Sequence, residues 1–118
     1  MKNRDFTRVE YAVGASISFG SQVAICTTSN LSLRGMYLRT GFEVPLDMPV
    51  HVTVYHSDKS SFKANARVIR RGNNGIGIQI TDLNVESFAR LRDIVVKQSK
   101  DQGTVLRETF KMLNCINN

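Results

Sequence analysis

The sequence contains no tryptophan, only two cysteines and two prolines, and no long apolar run. No stretch approaches the roughly 20 apolar residues that a membrane-spanning helix needs, so we expect no membrane insertion. The N-terminus is polar and lacks the apolar segment of a secretory signal, which predicts a cytoplasmic protein. Cys26 and Cys115 are far apart and form no CxxC pair. Two reduced thiols are therefore expected rather than a disulfide.

The patterns of common catalytic and metal sites are also missing. The chain has no GxSxG elbow, no P-loop and no paired-carboxylate site. His51 and His56 are an odd number of residues apart in a predicted strand, so they face opposite sides and cannot chelate one metal. No cluster of Cys and His has the spacing of a zinc site. We therefore expect a protein that is not an enzyme and that carries neither a metal nor a cofactor.

Size and charge narrow the class of protein. A chain of 118 residues fits one domain, 1–118, and 42% hydrophobic residues are enough for a buried core. The net charge of +6 implies an anionic partner, such as a nucleic acid, a nucleotide, an acidic protein or a membrane surface. The charge is uneven: residues 11–42 contain no Asp, Glu or Lys, whereas residues 59–71 contain five cationic side chains and no acid.

Most of the chain has the period-two alternation that is typical of β-strands. Strands are predicted near residues 9–19, 23–28, 36–40, 50–55, 62–70 and 76–80. The segment Gly72-Asn73-Asn74-Gly75 predicts a hairpin turn, because Asn and Gly tolerate positive φ. Six close-set strands of this kind favour a small antiparallel β-barrel.

After Asp82 the period becomes helical. Asn84 is a candidate N-cap with Glu86 in the first turn. Gly103 interrupts the pattern, and a second helix is predicted beyond it. The apolar residues of the first helix are Phe88, Leu91, Ile94 and Val95, and those of the second are Val105, Leu106, Phe110 and Leu113. The fold class is therefore mainly β: a six-stranded antiparallel β-barrel over 9–82 followed by C-terminal α-helices over 84–116.

Two short polar elements carry candidate binding chemistry. Arg4 and Arg8 are four residues apart, so in an extended chain both point the same way and can reach one ligand. A guanidinium group pairs bidentately with phosphate or with the O6/N7 edge of guanine, and its face stacks on a base. The second element is Asn30-x-Ser32-x-x-Gly35. In a strand, Asn30 and Ser32 would share a face, and Gly35 allows a sharp turn or a close approach.

In order, spacing and residue type, these elements resemble the RxxxR and (D/N)xSxxG motifs of the PilZ domain family, the bacterial receptors for the second messenger cyclic di-GMP. The resemblance covers roughly residues 2–98. It implies that residues 1–8 are a ligand-binding arm whose Arg4 and Arg8 hold phosphates and contact guanine. It also implies that Asn30 and Ser32 hydrogen-bond a guanine edge while Gly35 makes room. Arg70 is placed where some members cover the outer face of a guanine.

The sequence departs from the family pattern at two positions that concern the ligand. Position 30 is Asn where many members have Asp, a better acceptor for the guanine N1–H and N2–H groups. Position 3 is Asn where many members carry a further arginine. The second difference leaves open whether one ligand molecule or a stacked pair is bound.

Three functions remain. The first is a cyclic di-GMP receptor in which ligand binding changes the conformation, and this change is relayed to an unidentified protein partner. The second is a small basic β-barrel that binds single-stranded nucleic acid, with Tyr37, Tyr55 and Phe62 as possible stacking residues. The third is a PilZ-like domain that acts only through protein contacts. We expect the first, and we do not expect nucleic acid as a partner, because aromatic residues make up only 8% of the chain.

Overall fold

Residues 6–117 are described by the computed structural model. They form eight β-strands, two α-helices and one 3₁₀ helix. The strands are β1 Val9–Glu10, β2 Gly14–Phe19, β3 Gln22–Leu31, β4 Gly35–Arg39, β5 Pro49–Ser57, β6 Ser60–Arg71, β7 Gly75–Asn84 and β8 Ile116–Asn117. The helices are α1 Val85–Gln98, α2 Gln102–Glu108 and the 3₁₀ helix Thr109–Cys115. Within this part of the chain, no helix is both long enough and apolar enough to span a membrane.

Six of the strands close into an antiparallel barrel. The neighbours follow the order β3-β2-β5-β6-β7-β4, and β4 pairs with β3 to complete the ring. β1 pairs with the end of β3, on the same side as β2, so β1 and β2 together act as one interrupted strand. β8 adds a short parallel pairing to the end of β7. The predicted six-stranded antiparallel barrel is confirmed.

The barrel interior is filled by alternate residues of each strand. In β5, Val50, Val52 and Val54 are buried, while His51 and Tyr55 point outward. β6 buries Phe62, Ala64, Ala66 and Val68 in the same way. This is the period-two pattern of the sequence, and it places the β-branched and apolar side chains inside.

Both cysteines are free thiols, and burial raises the pKa of Cys26 to about 11.

The first helix begins as the sequence predicts. The side chain of Asn84 caps α1 by accepting a hydrogen bond of 2.7 Å from the backbone N–H of Ser87. The helix buries Phe88, Leu91, Ile94 and Val95 against the barrel. It packs on β6, β7 and β1, and Arg90 donates a 2.9 Å hydrogen bond to the carbonyl of Ser61 in β6. The apolar stripe read from the sequence is therefore the packing face.

The C-terminal segment differs from the prediction in two ways. The break between helices falls at residues 99–101, and Gly103 lies inside the first turn of α2, which Asp101 caps. The second helix is also short, because it continues as a 3₁₀ helix. Of the predicted apolar series only Val105 is buried, and it shares the buried face with Met112 and Cys115. The buried apolar residues are Val105, Met112 and Cys115, whereas Leu106, Phe110 and Leu113 are exposed.

Two strand details also differ. β3 continues to Leu31, beyond the predicted end at residue 28, so Asn30 lies within the strand. The hairpin at residues 72–74 is present, with the N–H of Gly72 donating to the carbonyl of Gly75 at 2.9 Å. It forms without the positive φ invoked for it, since the described residues with positive φ are Asp47 and Gly20.

Candidate functional site

A transverse row of residues crosses four neighbouring strands on the outer surface of the barrel. Asn30 of β3 is opposite Tyr37 of β4. Tyr37 is opposite Gly77 of β7, and Gly77 is opposite Arg70 of β6. The row brings together two predicted site residues, Asn30 and Arg70, although 40 positions of sequence separate them. Tyr37 and Gly77 join them because of strand register alone.

Two β-bulges turn the ends of this row outward. In β3 the register shifts between Thr28 and Asn30, and in β6 it shifts between Val68 and Arg70. Thr28 and Val68 are buried. Under strict alternation Asn30 and Arg70 would therefore point into the core as well. The extra residue at each bulge, such as Ile69 in β6, reverses the side of the next side chain.

A cation–π contact forms one side of the site. The guanidinium carbon of Arg70 lies 5.5 Å from the centre of the Tyr37 ring. Gly77, between them in register, has no side chain to separate the two groups. Tyr37 Oη is also fixed by a 3.2 Å hydrogen bond to the side-chain carbonyl of Asn74 in the hairpin. The guanidinium of Arg70 and the ring of Tyr37 are therefore in contact above Gly77, whose missing side chain leaves a gap on the outer surface of β7.

Arg8 forms the other side of the site. Its Nη1 donates a 2.6 Å hydrogen bond to Oδ1 of Asn30. Arg8 immediately precedes β1, which pairs with β3 through Val9 opposite Leu31 and Glu10 opposite Asn30. The first motif is therefore carried to the second by backbone pairing. The predicted proximity of Arg8 and Asn30 is seen in the structure.

A cavity of about 180 Å³ lies between these groups. Its lining consists of Arg8, Met36, Tyr37, Ile69, Arg70, Gly77 and Ile78. Among these lining residues there are two guanidinium groups and no carboxylate, so the cavity attracts anions. The volume is below the roughly 300–1,000 Å³ of pockets that enclose a drug-sized ligand. It suits one planar part of a ligand, with the remainder lying on the surface.

Ser32 is placed differently from the prediction. β3 ends at Leu31, so Ser32 belongs to the turn before β4 and does not share a strand face with Asn30. Its side chain is buried, and its hydroxyl is engaged within the turn. Ser32 Oγ accepts from the N–H groups of Arg34 and Gly35 at 3.2 and 3.1 Å and contacts the Gly35 carbonyl at 3.3 Å. In this structure the hydroxyl shapes the turn.

Gly35 is buried between two strands. It pairs with Gln79, and a Cβ built on it would come within 3.0 Å of the backbone carbonyl oxygen of Ile78. That separation is shorter than real Cβ contacts. The absence of a side chain at position 35 therefore lets β4 approach β7. This approach holds Tyr37 and Gly77 in register.

Arg4 lies outside the residues that the structure describes, so its role stays a prediction. The sequence reasoning missed Gly77 and gave Tyr37 a different role, as a stacking residue for nucleic acid. A signal for Gly77 was present: glycine inside a strand often marks a close approach of another group. No comparable signal pairs Tyr37 with Arg70.

Two larger grooves follow the outer surface of β5 and β6. Their volumes are about 610 and 490 Å³, and both are lined by His51 and Asn65. Of the predicted site residues that the structure describes, none lines either groove. Size alone does not make them the better nucleotide site, because the guanidinium groups and the aromatic ring converge on the smaller cavity. Within residues 6–117, no group of three His, Cys, Asp or Glu side chains could hold a metal ion.

Comparison with known proteins shows the family and the fold of the chain. The model of the PilZ domain family matches residues 2–97. The structure is similar to the PilZ domain of CeSA from a cellulose-synthesizing bacterium, with a TM-score of 0.63, 20% identity, and coverage of 77% of this chain and 96% of that one. It is also similar to the PilZ domain of YcgR from Escherichia coli, solved with c-di-GMP, with a TM-score of 0.66, 14% identity, and coverage of 93% and 96%.

A third similar structure is the inhibitor of motility MotI/DgrA of Bacillus subtilis, with a TM-score of 0.67 and 11% identity. The match covers 97% of this chain but only 53% of that protein, so this chain spans about half of its length. No curated protein matches the sequence. At identities this low, the similarity of the structures shows a shared fold. The family match covers most of the chain, including both motifs, and the chain therefore belongs to the PilZ domain family.

Proposed function

We propose that this protein is a cyclic di-GMP receptor that relays ligand binding to a partner protein. The observation that carries the proposal is the convergence of Arg8, Tyr37 and Arg70 around one cavity, with Asn30 hydrogen-bonded to Arg8. PilZ domains are receptor domains without enzymatic activity, and the relative YcgR was solved with c-di-GMP. The same role is proposed here for the domain 1–118.

The groups of the site match the parts of the ligand. A guanine base enters beside Tyr37 and under the guanidinium of Arg70, where a cation–π contact stabilises it by roughly 0.5–2 kcal/mol. Arg8 pairs with a phosphate or with the O6/N7 edge of guanine, and such charge-assisted hydrogen bonds contribute roughly 1.5–3 kcal/mol. Asn30 offers its amide to the guanine edge. Arg4 is assigned the second phosphate contact.

Ser32 and Gly35 shape the turn and the strand packing that position the site. The Ser32 hydroxyl holds the turn through the N–H groups of Arg34 and Gly35, and Gly35 permits the approach of β4 to β7. A contact from Ser32 to guanine would require its hydroxyl to leave these partners. We therefore assign ligand contacts to Arg4, Arg8, Asn30 and Arg70.

The surface proposed to contact the partner lies on the C-terminal segment, near the N-terminal arm. Leu106, Phe110 and Leu113 are 49%, 73% and 60% exposed on the C-terminal segment. Exposed apolar groups of this kind are common where proteins meet other proteins. Ligand contacts to Arg4 and Arg8 would change the surface of the arm beside this segment, and a partner can read such a change.

Calorimetric titration with cyclic di-GMP tests the proposal. We expect a dissociation constant between submicromolar and tens of micromolar, equivalent to roughly −6 to −9 kcal/mol. GMP is the matched control and should bind far more weakly, because it cannot span the arginines and the Asn30 site. Equal affinities for the two ligands would remove the case for this site. The stoichiometry of the same titration separates one bound molecule from a stacked pair.

Burial of one candidate stacking residue weakens the nucleic-acid alternative. Phe62, one of its three candidate stacking residues, is 0% exposed and cannot stack on a base. Salt dependence provides the remaining test. Binding of a single strand should weaken with a slope of log K against log salt of roughly −0.7 per phosphate contact. Tight oligonucleotide binding that cyclic di-GMP does not displace would favour this alternative.

A further inference from the structure

Glu108 is a buried carboxylate at the junction of α2 and the 3₁₀ helix. Only 7% of its surface is exposed. Both of its oxygens accept hydrogen bonds from a residue 101 positions away: the backbone N–H of Thr7 donates to Oε1 at 2.9 Å and to Oε2 at 3.1 Å. The hydroxyl of Thr7 donates to Oε2 at 2.8 Å. The C-terminal segment therefore holds the backbone of the arm directly.

These contacts are needed by Glu108 itself. A buried carboxylate is costly unless hydrogen bonds replace the water that it has lost. Thr7 supplies three such contacts, so leaving the carboxylate without Thr7 would be unfavourable. Phe6 adds a second attachment, because its ring packs on the core and lies 5.4 Å from the Nζ of Lys111. The arm is thus anchored at two consecutive residues.

The anchor lies next to the residue that faces the ligand site. Thr7 is held by Glu108 on one side of Arg8, and Val9 is held by pairing with Leu31 on the other. With the backbone held on both sides, Arg8 starts from a defined position and reaches Asn30 at 2.6 Å. A site that is arranged before binding avoids the entropy cost of ordering it during binding.

We propose that Glu108 is a positioning residue of the nucleotide site, acting through Thr7 to present Arg8 to the ligand. This inference rests on the proposed function. Glu108 lies outside residues 2–97, the part that the family model matches, so this support for Arg8 comes from the tail that follows the matched domain. By linkage, a ligand held by Arg8 stabilises the attachment of the C-terminal segment to the same extent.

The test compares variants that loosen the anchor to different degrees. Thr7→Val keeps the N–H but loses the hydroxyl, and Glu108→Ala removes every acceptor. Glu108→Gln keeps an acceptor for the N–H of Thr7 and serves as the conservative rescue. Glu86→Gln, an exposed carboxylate of α1, is the matched control. Affinity for cyclic di-GMP is measured by calorimetry, and stability is measured by urea unfolding.

We expect Thr7→Val to weaken binding about two- to tenfold, because only the fraction of molecules with the arm in place is competent to bind. Glu108→Ala should weaken it further, while Glu108→Gln and Glu86→Gln should remain close to wild type. In an Arg8→Ala background, Thr7→Val should have no additional effect on affinity, since its action passes through Arg8. A purely structural role would change stability but leave affinity unchanged or lower it equally in both backgrounds.

Amide exchange of Thr7 in the protein without nucleotide gives a second readout. The exchange should accelerate in Glu108→Ala and remain slow in Glu86→Gln; equal exchange in the two variants would overturn the anchor. If cyclic di-GMP binds wild type, and Thr7→Val and Glu108→Ala bind it equally well, the positioning role is wrong and the proposed function stands. If wild type does not bind cyclic di-GMP at all, both are wrong.

Discussion

Filling the gap at Gly77 should block the ligand without harming the fold. A Cβ at this position would lie 3.5 Å from Cβ and 3.7 Å from Nε of Arg70, and 3.9 Å from Cδ1 of Tyr37. These are ordinary van der Waals distances, and the φ of Gly77 lies outside the left-handed region. Gly77→Ala is therefore accommodated. The larger side chain of Gly77→Val must extend between Tyr37 and Arg70, where the base is proposed to enter.

The two effects of Gly77→Val differ in size. Displacing Arg70 from Tyr37 costs roughly 0.5–1 kcal/mol at an exposed site. A β-branched residue in a strand recovers up to about 1 kcal/mol, so the free energy of unfolding should stay within about 1 kcal/mol of wild type. Stacking of a base on an aromatic ring is worth about 1–3 kcal/mol. Its loss weakens binding about 5- to 150-fold.

Calorimetry with cyclic di-GMP and urea unfolding measure the two quantities on the same preparations. Gly14→Val is the matched control, because Gly14 is also a strand glycine and no heavy atom lies within 4 Å of a Cβ there. This control should bind like wild type. If Gly77→Val is folded and binds cyclic di-GMP as tightly as wild type, the base does not enter between Tyr37 and Arg70.

Four further changes have defined outcomes. Arg8→Ala should weaken cyclic di-GMP binding about tenfold or more while leaving the melting temperature nearly unchanged, because Arg8 is exposed; a large drop in melting temperature would make Arg8 structural. Asn30→Asp should keep or improve affinity in the same titration, and a large loss would contradict the guanine-edge role. Gly35→Ala should lower the free energy of unfolding by about 1–3 kcal/mol or more in urea, because its Cβ meets the carbonyl of Ile78; stability like that of Gly77→Ala would refute this. Burial raises the pKa of Cys26 from 9.0 to about 11, so the unfolded chain loses this proton first and stability should fall between pH 9 and 11. The free energy of unfolding should fall by about 3 kcal/mol in total over this range. The measurement is the difference between wild type and Cys26→Ala, and an equal dependence of stability on pH in the two proteins would contradict the prediction.

Several features of the fold followed from local patterns. The alternation of Val50, Val52 and Val54 predicted a strand with one buried face, and all three are inside. Asn84 was identified as a helix N-cap and accepts the expected hydrogen bond from Ser87. Such patterns are readable because residues close in sequence decide them. The C-terminal segment was harder, since Val105 and Leu106 were both assigned to one apolar series, and only the packing of the folded chain buries Val105 and leaves Leu106 exposed.

The candidate site was predicted in part. The sequence named Asn30 and Arg70, but regular alternation after Thr28 and Val68 would have placed both inside the barrel. The shared face assigned to Asn30 and Ser32 was wrong, because β3 ends at Leu31 and Ser32 turns inward. A bulge and a strand end each depend on pairing with a neighbouring strand. A single strand's sequence does not contain that information.

By itself, the sequence determined the class of fold, the cationic character of the site and the two motifs, because composition, period and spacing are properties of the chain. The tertiary structure decided which side chains meet. Strand register placed Tyr37 and Gly77 between Asn30 and Arg70. Packing of the C-terminal segment brought Glu108 to Thr7 across a separation of 101 residues. Contacts at such separations form only when the chain closes on itself, so no local pattern of residues records them.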